Sequence, residues 1–138
     1  PQLRADGEVV MSTAYNGRIF NAAVGEGQPF QIVWDGQILD FDLFVIPKGA
    51  PNKDNAIEYI KFSTDTQRLA DQAKYISYGP ARQSSAPLVG KHATLGIDMK
   101  PHMPTSPENA KTKLLYNYEW WADNRDDLDQ QFQAWLVK

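Results

Sequence analysis

Apolar and polar positions alternate most regularly between Phe30 and Pro47, in FQIVWDGQILDFDLFVIP. Gly36 divides this stretch into two β-type runs. Alternate side chains of a strand share a face, so Leu39, Phe41, Leu43 and Val45 fall on one side and Ile38, Asp40, Asp42, Phe44 and Ile46 on the other. The first side is apolar throughout. The second carries Asp40 and Asp42 roughly 6 to 7 Å apart, two residue rises, and turns apolar at Phe44. A run apolar on both faces from Leu43 to Ile46 predicts a central strand covered by helices on both sides, as in parallel α/β sheets. Its polar start is then expected to open into a cleft.

The remaining elements follow from period and punctuation. Glu8 to Ala14 predicts a short strand feeding a loop at Tyr15-Asn16-Gly17, and Ile19, Phe20, Ala23 and Val24 recur at helical spacing over Arg18 to Val24. Asn16 is the candidate cap of that helix, whose free N–H groups would face whatever lies over the strand end. Gly25-Glu26-Gly27 stops it, and the chain re-enters the sheet at Gln31 to Trp34. Asn52 caps a predicted helix over Lys53 to Ser63, with Asp54 in its first turn and Ala56, Ile57, Ile60 and Phe62 inward. Thr64 to Gln67 has the spacing of a capping box and opens a second helix through Tyr75, with Leu69, Ala70 and Ala73 inward. Between Pro80 and Pro107 five prolines and few periodic apolar residues predict a long surface excursion, with a short helical turn near Ala86 to Leu88. Ser106 and Pro107 start a helix reaching about Trp121. A final amphipathic helix runs from about Asn124 to Val137, with Leu128, Phe132, Trp135 and Leu136 on one stripe.

Composition narrows the classes. At 138 residues and 42% hydrophobic the chain suits one compact α/β domain with a real core. Fourteen Lys and Arg against 17 Asp and Glu give a net charge of −3 with no basic block, which argues against nucleic acid as a partner. No apolar run reaches membrane-spanning length, and the first residues lack the charged start and apolar middle of a secretion signal. The absence of cysteine excludes disulfides and thiol chemistry. Pro1 to Gly7 reads as the tail of something earlier, so a fragment of a longer protein is expected. His92 and His102, ten apart in a Pro-rich loop without an acidic partner at ligand spacing, read as exposed side chains, and no metal or cofactor is expected.

Candidate chemistry centres on Asp40 and Asp42. An ammonium leaving water has to be met by carboxylates and aromatic faces, because a buried unpaired charge costs several kcal/mol, while cation–π contact returns on the order of 0.5 to 2 kcal/mol. Asp40 and Asp42 on one face, with Tyr15, Trp34, Tyr78 and Trp120 or Trp121, supply both kinds of group. Each has a plainer alternative. The carboxylates suit solvated or capping groups at a strand's polar end, Tyr15 and Tyr78 suit wedges at loop ends, and Trp34 and Trp120 suit packing. Glu119 and Asp123 suit a like-charged surface pair.

The succession GEVVMSTAYNG, PFQIVWDG, ILDFDLFVIPKGAPNKDNAIEYIKF, YISYGPARQ and YEWWADNRDDLDQQFQAWL resembles the C-terminal part of periplasmic solute-binding proteins of ABC transporters, most of all the spermidine/putrescine-binding branch. The likeness covers essentially the whole chain and is most specific over DLFVIPKGAPNKDNAIEYIKF. It implies part of a two-lobed periplasmic binding protein fold of type 2, short sheet strands flanked by helices, with the N-terminal part absent. Residues 1–40 would belong to the second lobe, 41–105 to the first lobe entered through a hinge strand, and 106–138 to helices returning toward the second lobe. By the same resemblance Tyr15 holds the place of an aromatic after the strand VVMSTA. Asp42 holds that of an acidic residue accepting the ligand's ammonium, and Tyr78 that of an aromatic ending the second helix. Asp40 stands where the branch commonly has Trp, which removes a stacking surface and adds a charge. Trp121 falls near a position where the branch has a polar amide.

The resemblance implies a binding protein without catalytic activity. It would capture a small cationic solute, a polyamine such as putrescine or spermidine, in the periplasm and deliver it to an inner-membrane permease. Closure of the lobes would be favoured because the ligand contacts both. A different solute, an amino-acid derivative or a sugar, is the alternative within the superfamily. Outside it, a hydrolase using Asp40 and Asp42 as acid and base is the rival, although no nucleophile motif, phosphate loop or metal spacing accompanies them. A third reading has the shortened chain bind nothing and self-associate through exposed apolar surface.

Overall fold

A computed structural model describes residues 7–137. Apart from Gly7, the opening stretch expected to be a tail lies outside the described residues. Helix α1 spans Asn16–Phe20 and continues into one π-helical turn, Asn21–Gly25. It buries Ile19, Phe20 and Ala22, while Val24, expected inward, is exposed, because the π turn rotates the face onward from the ideal helical period. Helix α2, Lys53–Ser63, has its expected limits and keeps Ala56, Ile57 and Ile60 half-buried, but Phe62 is turned out beneath the Arg68 guanidinium, 3.4 Å from the ring centre.

Helix α3 spans Thr66–Gln72. Its cap is Asp65, not Thr64: the Asp65 carboxylate accepts the Gln67 and Arg68 N–H groups at 3.0 and 3.3 Å. Thr64 instead closes α2, its hydroxyl donating to the Ile60 carbonyl at 2.8 Å. Two adjacent helix ends thus divide the neighbouring short side chains between them, and the carboxylate takes the end where free N–H groups and the dipole favour negative charge. Ala70 and Ala73 are buried as their spacing requires.

Pro80 to Pro107 is largely exposed and holds the short helical turn expected near Ala86 to Leu88, but it also supplies part of the core. It folds into two 3₁₀ turns, Gln83–Leu88 and Lys100–His102, joined through an antiparallel bridge between Lys91 and Asp98. Val89, Met99 and Met103 from this segment meet Phe20 of α1 and Ala73 beyond α3, with Ile97 packed alongside, to form the core. The first turn is tied to α3 by Ser85, whose hydroxyl donates to the Thr66 carbonyl at 2.7 Å, and by Arg82, which donates to the Thr64 carbonyl. The segment joining the two turns is drawn to Lys74, whose carbonyl accepts the Ala93 N–H at 2.8 Å. Long-range contacts of this kind leave no periodic trace, and flexible Met side chains fill the irregular space between turns.

Among the described residues regular pairing of strands is confined to two short elements. Strand β1, Ile38–Leu39, runs parallel to β2, Leu114–Leu115. The ladder bonds are Leu114 N–H to the Gln37 carbonyl at 2.8 Å and Tyr116 N–H to the Leu39 carbonyl at 3.0 Å. Gly36, at φ 68°, makes the turn before β1, and the Gln37 side-chain amide donates to the carbonyls of Pro104 and Asn109 at 2.9 and 2.7 Å. Glu8 to Ala14, Gln31 to Trp34 and Asp42 to Ile46 are irregular, against the expectation of sheet strands. The central run is also uncovered: Leu43 is 72% and Val45 78% exposed. Extended backbone becomes sheet only where a neighbour takes its N–H and C=O groups, and among the described residues Leu114–Leu115 alone does so for this run.

Ser106 to Trp121 is not one helix. Its first part makes turns, pinned by the Asn109 side-chain amide donating to the carbonyls of Pro101 and Met103, both at 2.9 Å. The chain then extends into β2, and helix α4 runs unbroken over Tyr118–Leu136. Asn117 starts it by accepting the Trp120 N–H at 3.0 Å. Leu128 is half-buried, but Phe132, Trp135 and Leu136 of the anticipated inward stripe are exposed. None of the helices among the described residues is long and apolar enough to cross a membrane.

Candidate functional site

The five candidate residues fall into two groups and one side chain on its own. The first group forms where α1 begins. Tyr15 occupies the cap position without a side-chain capping bond, and its ring is exposed, with the Arg18 guanidinium 5.9 Å from the ring centre. Asn16, expected as the cap, is used differently. Its amide donates to the Ser77 carbonyl at 2.5 Å and reaches the Ser77 hydroxyl at 3.3 Å. Gly17 then lies directly under the half-buried Tyr78 ring, so close that a Cβ there would stand 2.9 Å from Tyr78 Cε1. The loop after α3 is thereby docked onto the start of α1, and Tyr15 and Tyr78 are held on adjoining segments.

The second group forms where β1 ends. Asp40 Oδ1 accepts the Phe41 N–H at 2.7 Å and the Tyr118 hydroxyl at 2.5 Å. The same hydroxyl lies 3.1 Å from the Phe41 nitrogen. Donation to Asp40 holds the Tyr118 phenol above the usual tyrosine value, and the Phe41 N–H works in the opposite direction. An aromatic cluster adjoins it. Tyr116 meets Tyr118 edge-on at 4.9 Å and stacks on Trp121 at 5.8 Å with planes 1° apart. Trp120 meets Trp121 edge-on at 5.2 Å. Trp121 therefore gives one ring face to Tyr116. An open depression of about 480 Å³, lined by Leu115, Tyr116, Asn117, Tyr118 and Glu119, runs beside this cluster.

Asp42 stands apart: it is exposed, and among the described residues no hydrogen bond or ion pair reaches it. Trp34 packs elsewhere, lining a cavity of about 240 Å³ with Phe20, Val24, Phe30, Gln31, Ile32 and His102. The histidines are not simple surface groups. His102 and His92 are both half-buried and both pack on Phe20, at 5.0 and 5.9 Å between ring centres. His92 Nδ1 also accepts the Leu95 N–H at 3.2 Å, which fixes its loop. Among the described residues no three His, Asp or Glu side chains gather as a metal would require.

Sequence reasoning missed Tyr118, Tyr116 and the Asn16–Ser77 tie. The alternation Tyr116-Asn117-Tyr118 ahead of a Trp pair was the available signal for the first two, since it places two phenols on one side of an extended segment. Nothing local pointed to Ser77.

Known proteins resemble this chain over all or most of its length. The sequence profile of bacterial extracellular solute-binding proteins matches residues 1–105. The gamma-aminobutyric acid-binding protein of Pseudomonas aeruginosa is 36% identical over 138 residues, 100% of this chain and 37% of its own length. The putrescine-binding periplasmic protein PotF of Escherichia coli K12 is 25% identical over 118 residues, 80% of this chain and 30% of its own. Among solved structures, the binding protein AgtB of A. tumefaciens R10 in complex with agropinic acid superposes with a TM-score of 0.74 at 28% identity, and an ABC transporter substrate-binding protein of Bradyrhizobium japonicum USDA 110 with 0.72 at 26%. Each covers 99% of this chain, which spans 41% of either structure.

Proposed function

The chain belongs to the family of bacterial extracellular solute-binding proteins, and from that premise we propose that it forms part of the solute-binding component of an ABC transporter. In this reading it works in the periplasm, takes a small solute bearing an ammonium group between two lobes, and hands it to a membrane permease. Residues 1–40 and 106–138 then belong to one lobe and 41–105 to the other, with the β1–β2 pair at the crossing. No catalytic step is assigned to the chain. The observation that carries the reading is Asp40, exposed where β1 ends and bonded to Tyr118 of the cluster that Tyr116, Trp120 and Trp121 complete, with Asp42, also exposed, two residues further along the chain. Anionic oxygens beside aromatic faces are what an ammonium needs on leaving water.

A diamine such as putrescine is one candidate solute, and an amino-acid derivative such as gamma-aminobutyric acid is the other. The second is the better supported. The relative named for it is 36% identical, against 25% for the one named for putrescine. Calorimetry of the protein at its native length, titrated with putrescine, spermidine and gamma-aminobutyric acid, tests both. Heat with the amino acid alone supports the second form and heat with the polyamines alone the first. Silence with all three overturns the ammonium assignment.

A further inference from the structure

We propose that Tyr118 is a positioning residue of the solute site: it holds Asp40 by Oδ1 so that Oδ2 is presented to the solute's ammonium. The proposal rests on the binding reading above and deepens it. Both donors that reach the Asp40 carboxylate, the Tyr118 hydroxyl at 2.5 Å and the Phe41 N–H at 2.7 Å, converge on Oδ1. Oδ2 has no partner among the described residues.

An exposed Asp on irregular backbone would ordinarily sample several rotamers, and its entropy would have to be lost again on binding. Here the rotamer is set in advance. Tyr118 can act this way because it is itself fixed: it opens a 19-residue helix capped by Asn117, and its ring rests edge-on against Tyr116 at 4.9 Å. The Tyr118 hydroxyl also sits 3.1 Å from the Phe41 nitrogen, so backbone and carboxylate are held at one point.

The test uses the native-length protein with gamma-aminobutyric acid and putrescine as probes. Tyr118→Phe is expected to weaken binding of the probe that binds by about tenfold, the scale of one hydrogen bond to a charged group. A purely structural tyrosine could do the same, so a second readout is needed. On saturation at neutral pH the Tyr118 ζ-carbon NMR resonance should move, because an ammonium on Oδ2 draws charge from the carboxylate that Tyr118 donates to. It should stay in place in Asp40→Asn. A probe that binds without moving this resonance overturns the proposal and leaves the binding reading standing, and so does unchanged affinity in Tyr118→Phe. If neither probe binds the unsubstituted protein, the binding reading falls and the proposal falls with it.

Discussion

Gly17→Ala places two opposing effects at one position. Gly17 lies inside α1, where exchanging Gly for Ala ordinarily favours the helix by about 1 kcal/mol. The new Cβ, however, would stand 2.9 Å from Tyr78 Cε1, 3.2 Å from Tyr78 Cζ and 3.1 Å from Ile76 Cγ1, whereas carbon pairs settle near 3.5 to 4.0 Å. Neither neighbour can simply step back, because the segment between them is tied through Ser77 to Asn16, the residue next to Gly17. Inserting a methyl group into such a contact costs roughly 1 to 3 kcal/mol. The clash outweighs the propensity, and the net effect is a destabilisation of about 1 kcal/mol, a fall in Tm of roughly 3 to 5 °C for a chain of this size. Far-UV circular dichroism melts of Gly17→Ala, Tyr78→Ala and the double variant form a cycle with a coupling of about 1 to 2 kcal/mol, since the Ala at 17 loses most of its clash once the ring is gone. A higher Tm for Gly17→Ala in the presence of Tyr78, or a coupling near zero, refutes the close docking of α1 on Tyr78.

Three further outcomes are expected. Asp65→Ala removes the acceptor for two N–H groups at the start of α3 and costs about 1 kcal/mol in denaturant unfolding, while Asp65→Asn retains most of the stability. Met99→Ala, at a side chain with no exposed surface, costs roughly 2 to 5 kcal/mol by the same measurement. Hydrogen bonds from Lys74 and then Gln67 lower the Asp71 pKa below its unfolded value of 3.8, so its contribution is present above that pH and is lost as the pH falls through the folded value. Asp71→Asn should accordingly flatten this part of the acid limb of an unfolding-versus-pH curve.

The sequence by itself determined the helices whose causes are local. The limits of α2 and the inward Ala70 and Ala73 follow from period, which reaches no further than one turn, although Asn52, the expected cap, starts α2 without a side-chain capping bond. The resemblance in motif, too, is a linear property, and the family match follows the same string of residues. What only the tertiary structure decided depends on partners distant in the chain. Met99 and Met103 reach the core because the Pro-rich segment folds back under Lys74. Ser106 to Trp121 divides because the Gln37 and Leu39 carbonyls draw Leu114 and Tyr116 into a ladder, and Asp40 is bound because Tyr118, 78 positions later, donates to it. Alternation in Phe30 to Pro47 could state which side chains share a face, but not which face is covered. Burial requires a neighbour, and a neighbour's place is set by the folding of the whole chain.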